Sequence, residues 1–252
     1  MSSKTALITG ASAGLGRATA IGLAELGYQL VLFARREEKL IELKQQLDVQ
    51  THIVVCDVSD QAAVSEALES LPSEFQNIDV LVNNAGLALG LETADKTDWS
   101  DWQTMIDTNV TALAYLTRLV LPRMVARNSG TIINLGSTAG HYAYRGSNMY
   151  GATKAFVDHF SISLRADLLG TKIRVTNLIP GLIGETEFSN IRFHGDESAF
   201  AGLYENCQAL SPQDIAESIR WIVTLPEHVN INRLEIMPTC QAPAGLALHK
   251  ET

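Results

Sequence analysis

Thr9-Gly10-Ala11-Ser12-Ala13-Gly14-Leu15-Gly16 follows a short apolar run, Thr5 to Thr9, and opens a segment whose apolar residues recur at helical spacing. Leu15, Ala18, Ile21, Leu23 and Leu26 mark that segment between Gly14 and Gly27. The order is buried strand, glycine-rich turn, helix. Glycines let the backbone turn tightly and approach a ligand closely, and the first turn of the helix offers free N–H groups and a positive dipole end. A diphosphate suits both. The spacing is G-x-x-x-G-x-G rather than the better-known G-x-G-x-x-G, and many strand-to-helix turns need a glycine for shape alone. Its place after the first strand is what points to a nucleotide.

The alternation continues along the chain. Tyr28 to Phe33, His52 to Cys56, Ile78 to Val82, Thr131 to Leu135, Ile173 to Leu178 and a run around Leu234 to Met237 read as further strands, about seven in all. Helical segments separate them: Arg36 to Leu47, Asp60 to Leu71, Met105 to Arg127 led in by Asp98 to Gln103, Tyr150 to Leu169, and Pro212 to Leu225. Such alternation builds an α/β fold, a doubly wound parallel sheet with helices on both faces. The strands are continuous apolar runs, as strands covered on both faces should be. No repeat, linker or composition break divides the 252 residues, so one domain over 1–252 is expected. Ligands of such sheets bind beyond the carboxyl ends of the strands.

Composition narrows the class of function. Hydrophobic residues make up 46% and charged residues 19%, the balance of a globular protein. A net charge of −9 argues against nucleic acid or anionic membrane as a partner. The longest apolar stretch, Val110 to Val125, is interrupted by Arg118, Pro122 and Arg123, so no membrane span is expected. Met1-Ser2-Ser3-Lys4 runs straight into the first strand, leaving no room for a signal peptide. Cys56, Cys207 and Cys240 are odd in number and far apart. They suggest neither a metal site nor a disulfide framework, and so a reducing cytoplasm.

The strand ends carry the chemistry. After the second strand come Ala34-Arg35-Arg36, where an NAD-binding unit usually has a carboxylate for the ribose 2′-hydroxyl. Two guanidiniums there can hold a 2′-phosphate, and as bare charges they would oppose the dipole of the helix they open. NADP(H) is predicted over NAD(H). Asp57, with Val58 beside it, is an adenine-side candidate; Asp57 equally can open the turn before Asp60. Asn83-Asn84-Ala85-Gly86 follows the fourth strand, and its asparagines can serve neighbouring backbone as well as a cofactor. Gly136-Ser137 ends the fifth and puts a hydroxyl at the sheet edge. Tyr150 and Lys154 lie four apart on a helix, one turn from each other, where an ammonium favours the ionised phenol. Asn109, inside an apolar helix, is either internally hydrogen-bonded or a holder of water.

T-G-x-x-x-G-x-G, N-N-A-G, the serine after strand five, Y-x-x-x-K and Pro180-Gly181 occur in an order and spacing that closely resemble the short-chain dehydrogenase/reductase family, over nearly the full length. The resemblance implies a Rossmann-type fold and is greatest to the NADP-dependent 3-hydroxy acid dehydrogenases. These oxidise serine, allo-threonine and simple 3-hydroxy acids, or reduce malonic semialdehyde. Gly86-Leu87-Ala88-Leu89-Gly90, Tyr150 to Val157, Pro180 to Phe193 and Val229 to Pro238 are similar to that subgroup. By this resemblance Tyr150 is the general acid/base, Ser137 positions the substrate oxygen, and Lys154 bonds the nicotinamide ribose and lowers the tyrosine pKa. Asn109 holds a water linking Lys154 to solvent. Gly10, Ser12, Ala13, Gly14, Leu15, Gly16, Asn84, Ala85 and Gly86 line the dinucleotide, and Pro180, Gly181, Ile183 and Thr186 its nicotinamide end. A homotetramer is implied as well.

Residues 183–208 read as a polar lid over the nicotinamide. A hydroxy acid needs a cation for its carboxylate: Arg192 in the lid is the first candidate and Arg145 the second, though a lid arginine can also pair with Glu187. Two other functions compete. One is reduction of a 3-oxoacyl group on a carrier protein, with Arg123 and Arg127 facing the acidic carrier. The other is a non-catalytic NADP sensor or scaffold, which should have lost Ser137, Tyr150 or Lys154; all three are present.

Overall fold

The computed structural model describes residues 3–196, 202 and 204–243. Seven strands form one sheet: β1 (Thr5–Thr9), β2 (Gln29–Ala34), β3 (Thr51–Val55), β4 (Ile78–Asn83), β5 (Gly130–Leu135), β6 (Ile173–Pro180) and β7 (Arg233–Ile236). Every pairing is parallel and the order is β3-β2-β1-β4-β5-β6-β7. The chain winds outward from β1 to β3, then crosses back to β4. The carboxyl ends of β1 and β4 therefore flank the switch point where such sheets bind ligands.

The helices are α1 (Gly14–Glu25), α2 (Glu37–Gln45), α3 (Gln61–Glu69), α4 (Trp99–Ile106), α5 (Leu113–Arg127), α6 (Asn148–Asp167), α7 (Phe188–Arg192) and α8 (Pro212–Thr224). They cover both faces. Leu23 of α1, Leu40 and Leu43 of α2, and Ile215 and Ile219 of α8 bury one side of the strands. Val64 of α3, Leu116 and Met124 of α5, and Leu164 of α6 bury the other. β7 departs from the expected apolar run because it is an edge strand: its residues alternate in exposure and present Arg233 and Glu235 outward, a common way of blunting a sheet edge.

Arg233 also ties this edge down. Its Nε and Nη2 donate to Asp158 of α6 at 2.7 and 2.6 Å, and Asn177 of β6 donates at 2.8 Å. Burial works against the Asp158 carboxylate, but these bonds and the charges of Arg233 and His141 hold its pKa down at about 2. A depressed carboxyl stabilises the fold above its ordinary pKa near 3.8 and loses that contribution as pH falls toward about 2. Asp158→Asn is thus expected to lower unfolding free energy by about 1–2 kcal/mol at neutral pH. The gap to the parent chain should close between about pH 4 and pH 2 in denaturant titrations; a gap independent of pH would contradict this.

The cysteines correct an expectation. Cys207 and Cys240 form a disulfide, with Cα atoms 6.1 Å apart and a separation of 33 positions in sequence, while Cys56 is free and buried. Sequence spacing carried no sign of it, because the chain returns from β7 to run beside the segment before α8. The cysteine argument for a reducing compartment falls with this pair. In denatured, unreduced protein one thiol should titrate, rising to three after reduction; three before reduction would contradict the pairing. Among the described residues no helix is long and apolar enough to cross a membrane, and no cluster of His, Cys, Asp and Glu is arranged to hold a metal.

Candidate active site

The turn after β1 is as tight as its glycines suggest. Gly10 has φ +66°, and a Cβ there would lie 2.9 Å from Asn84 Nδ2; a Cβ on Gly16 would lie 2.3 Å from the Gly10 carbonyl oxygen. Gly16 therefore serves helix-to-turn packing, whereas Gly10, Ser12, Ala13, Gly14 and Leu15 face a cavity of about 360 Å³. Asn84 joins the two strand ends by donating to the carbonyls of Thr9 (2.8 Å) and Gly10 (3.3 Å), while Thr9 Oγ1 accepts from the backbone N–H groups of Asn84 and Ala85. Asn84, Ala85 and Gly86 line the same cavity. Asn83 turns inward instead, donating to Thr117 and Asn134, so it braces β4, β5 and α5.

The two arginines after β2 differ. Arg36 caps the start of α2, lines the cavity, donates to both oxygens of Glu187 (3.0 and 2.9 Å) and reaches Ser12 Oγ at 3.2 Å. Arg35 is exposed and 3.7 Å from Asp57, which accepts from Ser59 N and Oγ. Asp57 and Val58 lie outside the cavity wall. The dipole objection to bare arginines at a helix start is met by these carboxylates.

At the far end of the cavity, Ser137 follows β5 and accepts from Ala139 N at 3.1 Å, while α6 supplies Tyr150 and Lys154, both buried. A close approach positions them: a Cβ on Gly140 would sit 2.7 Å from the Lys154 carbonyl carbon. Lys154 Nζ donates to the Leu135 carbonyl oxygen at 2.7 Å and lies 5.9 Å from the Tyr150 ring centre. The lowering of the phenol by Lys154 does not appear. Burial dominates and pushes Tyr150 up to about 12, opposed by a hydrogen bond from Ser137, reinforced by Tyr144 and opposed again by the charge of Arg192. Burial also lowers Lys154, to about 8. The low-dielectric site penalises both charged forms.

Asn109 lies on a π-helical stretch, Asp107–Ala112, joining α4 to α5, a distortion frequent at functional sites. Its Oδ1 accepts from Leu87 N at 2.9 Å; its Nδ2 donates to Leu87 O at 2.8 Å and to Thr153 Oγ1 at 3.0 Å. The internally bonded reading describes its side chain. Those bonds hold the segment after β4 against α6.

The lid segment includes α7; residues 197–201 and 203 of it lie outside the described residues. Ile183 and Thr186 line the cavity with Pro180 and Gly181, and a Cβ on Gly14 would be 3.4 Å from Thr186 Cγ2. Arg192, at the end of α7, is 9% exposed. Its Nε donates to Gly90 O at 3.2 Å, its guanidinium carbon lies 5.5 Å from the ring centres of Tyr144 and Tyr150, and its buried Nη2 has no hydrogen-bond partner among the described residues. Arg145 is exposed and lies off the cavity wall, which removes it as an anchor. Glu187 pairs with Arg36 and leaves Arg192 free for a ligand.

Residues 4–196 match the sequence profile of the short chain dehydrogenases. The chain belongs to the short-chain dehydrogenase family. It is 54% identical to the NADP-dependent 3-hydroxy acid dehydrogenase of Escherichia coli (strain K12), over 97% of this chain and 99% of that one. Solved structures are similar as well, two serine dehydrogenases among them. The closed form of a serine dehydrogenase complexed with NADP+ superposes with a TM-score of 0.93 at 53% identity, covering 98% of this chain and 100% of the other. Serine dehydrogenase from Escherichia coli gives 0.83 at 49%, covering 94% and 99%.

Three wall residues of this short-chain dehydrogenase were not legible beforehand. Phe188 packs its ring 5.8 Å from that of Tyr150. Tyr204 hydrogen-bonds with Ser189 and donates to the Ile183 carbonyl oxygen, pinning the lid to the strand end. Gln241, beyond β7, accepts from Leu182 N at 2.7 Å and faces the cavity. Phe188 and Tyr204 lie inside the lid segment already singled out, whereas Gln241 follows Cys240 in a segment with no motif.

Proposed function

We propose that the chain is an NADP(H)-dependent oxidoreductase that oxidises the 3-hydroxyl of small 3-hydroxy acids such as serine, allo-threonine and 3-hydroxypropionate, or reduces the matching semialdehyde. The observation that carries this reading is the buried, unpartnered Nη2 of Arg192 beside Tyr150. A guanidinium kept dry without a counter-charge is costly, and a substrate carboxylate supplies the missing partner.

The cavity fits the dinucleotide. Its glycine turn has no room for side chains at Gly10, it opens onto the N-terminus of α1, and Arg36 on its wall would hold a 2′-phosphate. Gly10, Ser12, Ala13, Gly14 and Leu15 would hold the diphosphate side, and Pro180, Gly181, Ile183 and Thr186 the nicotinamide side. The nicotinamide, when bound, accepts or returns the hydride. Tyr150 takes the hydroxyl proton in oxidation and returns it in reduction. Ser137 orients the oxygen by hydrogen bonding, Lys154 is placed for the ribose, and α7 with Phe188 excludes water. Asn109 fixes the surrounding segments through its side chain and, as the family resemblance implies, holds a water linking Lys154 to solvent. Replacing Arg35 and Arg36 by Asp and Ser should weaken NADPH by at least about tenfold, as loss of charge-assisted bonds does, and NADH far less. Equal weakening in fluorescence titrations would contradict the phosphate role.

The carrier-protein alternative is weakened by the arginines it needs. Arg123 donates to Gln76 O, and Arg127 donates to Asn77 and to Ile78 O. They brace the start of β4. Homotetramer formation completes the proposal. Phe156, stacked on Phe160, and Val125 leave apolar surface exposed on α6 and α5 in the single chain, which a neighbouring copy would cover. The direct test is initial rates of NADP+ reduction with serine, 3-hydroxypropionate and uncharged 1,3-propanediol. Acids are expected to exceed the diol; a preference for the diol would overturn the substrate class.

A further inference from the structure

Leu182 and Ile183 leave the end of β6 along the cavity wall, and two segments far apart in the chain grip them. From the stretch before α8, Leu210 donates its N–H to the Leu182 carbonyl oxygen at 3.0 Å and accepts from Gly184 N at 2.8 Å, pairing with Ile183 as a short parallel bridge. From beyond β7, Gln241 Oε1 accepts from Leu182 N at 2.7 Å. The first segment also reaches the lid: the Tyr204 hydroxyl lies 3.1 Å from the Ile183 carbonyl oxygen and 2.6 Å from Ser189 Oγ, about one turn before Arg192 on α7. Cys207 stands midway between Tyr204 and Leu210, and Cys240 is next to Gln241. Their disulfide therefore joins the two grips covalently. Between Tyr204 and Leu210 only Leu210 is buried, while Glu205, Asn206 and Gln208 are exposed. A segment with so little buried surface opens locally at small cost unless it is tied.

We propose that the Cys207–Cys240 disulfide is a redox switch on the substrate side of the site. Oxidised, it holds the wall at Leu182 to Gly184 and, through Tyr204 and Ser189, the helix that presents Arg192; reduced, it frees the segment around Cys207 and weakens capture of the hydroxy acid. This rests on the substrate reading above. The step is thiol–disulfide exchange with an external dithiol. A thiolate of the dithiol attacks one sulfur of the pair, the S–S bond breaks and a mixed disulfide forms; the second thiolate then displaces the remaining protein sulfur. Two electrons pass to the protein, whose two new thiols carry the two protons given up by the dithiol, and the dithiol ends as its own disulfide. Both cysteines are partly exposed, so a reductant can reach them, whereas Cys56 is buried and outside the exchange.

The test compares the oxidised parent, the parent reduced with dithiothreitol, and Cys207→Ser and Cys240→Ser. On reduction KM for 3-hydroxypropionate is expected to rise about tenfold, the factor that applies when the held arrangement falls to about one molecule in ten. Reoxidation with glutathione disulfide should restore it. Both serine variants should show the raised KM without dithiothreitol and should not respond to it. The affinity for NADPH should change less, because the glycine turn and Arg36 lie outside the two joined segments; an equal loss there would overturn the assignment to the substrate side. An unchanged KM in parent whose three thiols titrate after reduction would refute the switch, as would a serine variant that still responds. Hydrogen exchange at the amides of Leu182, Gly184 and Leu210 gives a readout that needs no substrate: exchange should speed up on reduction, and unchanged exchange would refute the brace. Failure of the underlying reading shows differently, as oxidised enzyme that turns over 1,3-propanediol faster than the acids.

Discussion

Tyr150→Phe is expected to lower kcat for both oxidation and reduction by roughly 10²–10⁴-fold, the usual worth of a positioned proton-transfer group. The affinity for NADPH should change little. The substitution removes one oxygen from a buried ring and leaves the contact with Phe188 in place. The Ser137 hydroxyl loses its partner but retains the bond it accepts from Ala139 N. No cavity the size of a side chain is created, so the fold should survive. Rapid-mixing turnover beside fluorescence titration of NADPH checks both halves. Turnover within a few-fold of the parent would remove Tyr150 from the mechanism, and a matching loss of cofactor affinity would assign the effect to binding.

Arg192→Ala is expected to reduce kcat/KM for 3-hydroxypropionate by roughly 10²-fold or more, since truncating one partner of a buried charge pair costs about 2–5 kcal/mol. For 1,3-propanediol the loss should be smaller, because no carboxylate is left without its counter-charge. What loss remains has two sources: the guanidinium no longer lies over Tyr144 and Tyr150, and the side-chain bond to Gly90 is gone. Guanidinium added to the assay should restore part of the acid activity if the emptied space is the anion site. Equal losses on acid and diol would show that Arg192 shapes the lid without holding the substrate.

The fold was legible because its signals are local and redundant. The strand–glycine turn–helix at Thr5 to Gly27 and the continuous apolar strands follow from burial on two faces, and most element ends shift by only a residue or two, as in β6, which runs on to Pro180. The helix expected from Met105 is interrupted by the π stretch at Asp107–Ala112. The reacting groups were legible for the same reason: Tyr150 and Lys154 share one turn of α6, and Ser137 lies just beyond the end of β5. What escaped depends on contacts between distant segments. No pattern tells that Glu187 docks on Arg36, 151 residues away, or that Gln241 returns to support Leu182. The disulfide of Cys207 and Cys240 is of the same kind. Electrostatics escaped too. A cation four residues from a tyrosine promises a lowered pKa in water-exposed geometry, but burial of the pair outweighs this and raises the phenol.

The most direct measurement is the structure of the protein with NADP+ and malonate, an inert dicarboxylate of the substrate's size. One carboxylate should accept hydrogen bonds from the Arg192 guanidinium, including Nη2, and the other end should lie within reach of Tyr150 and Ser137. The 2′-phosphate should rest against Arg36. A carboxylate bound away from Arg192, with Nη2 still unpartnered, would contradict the account.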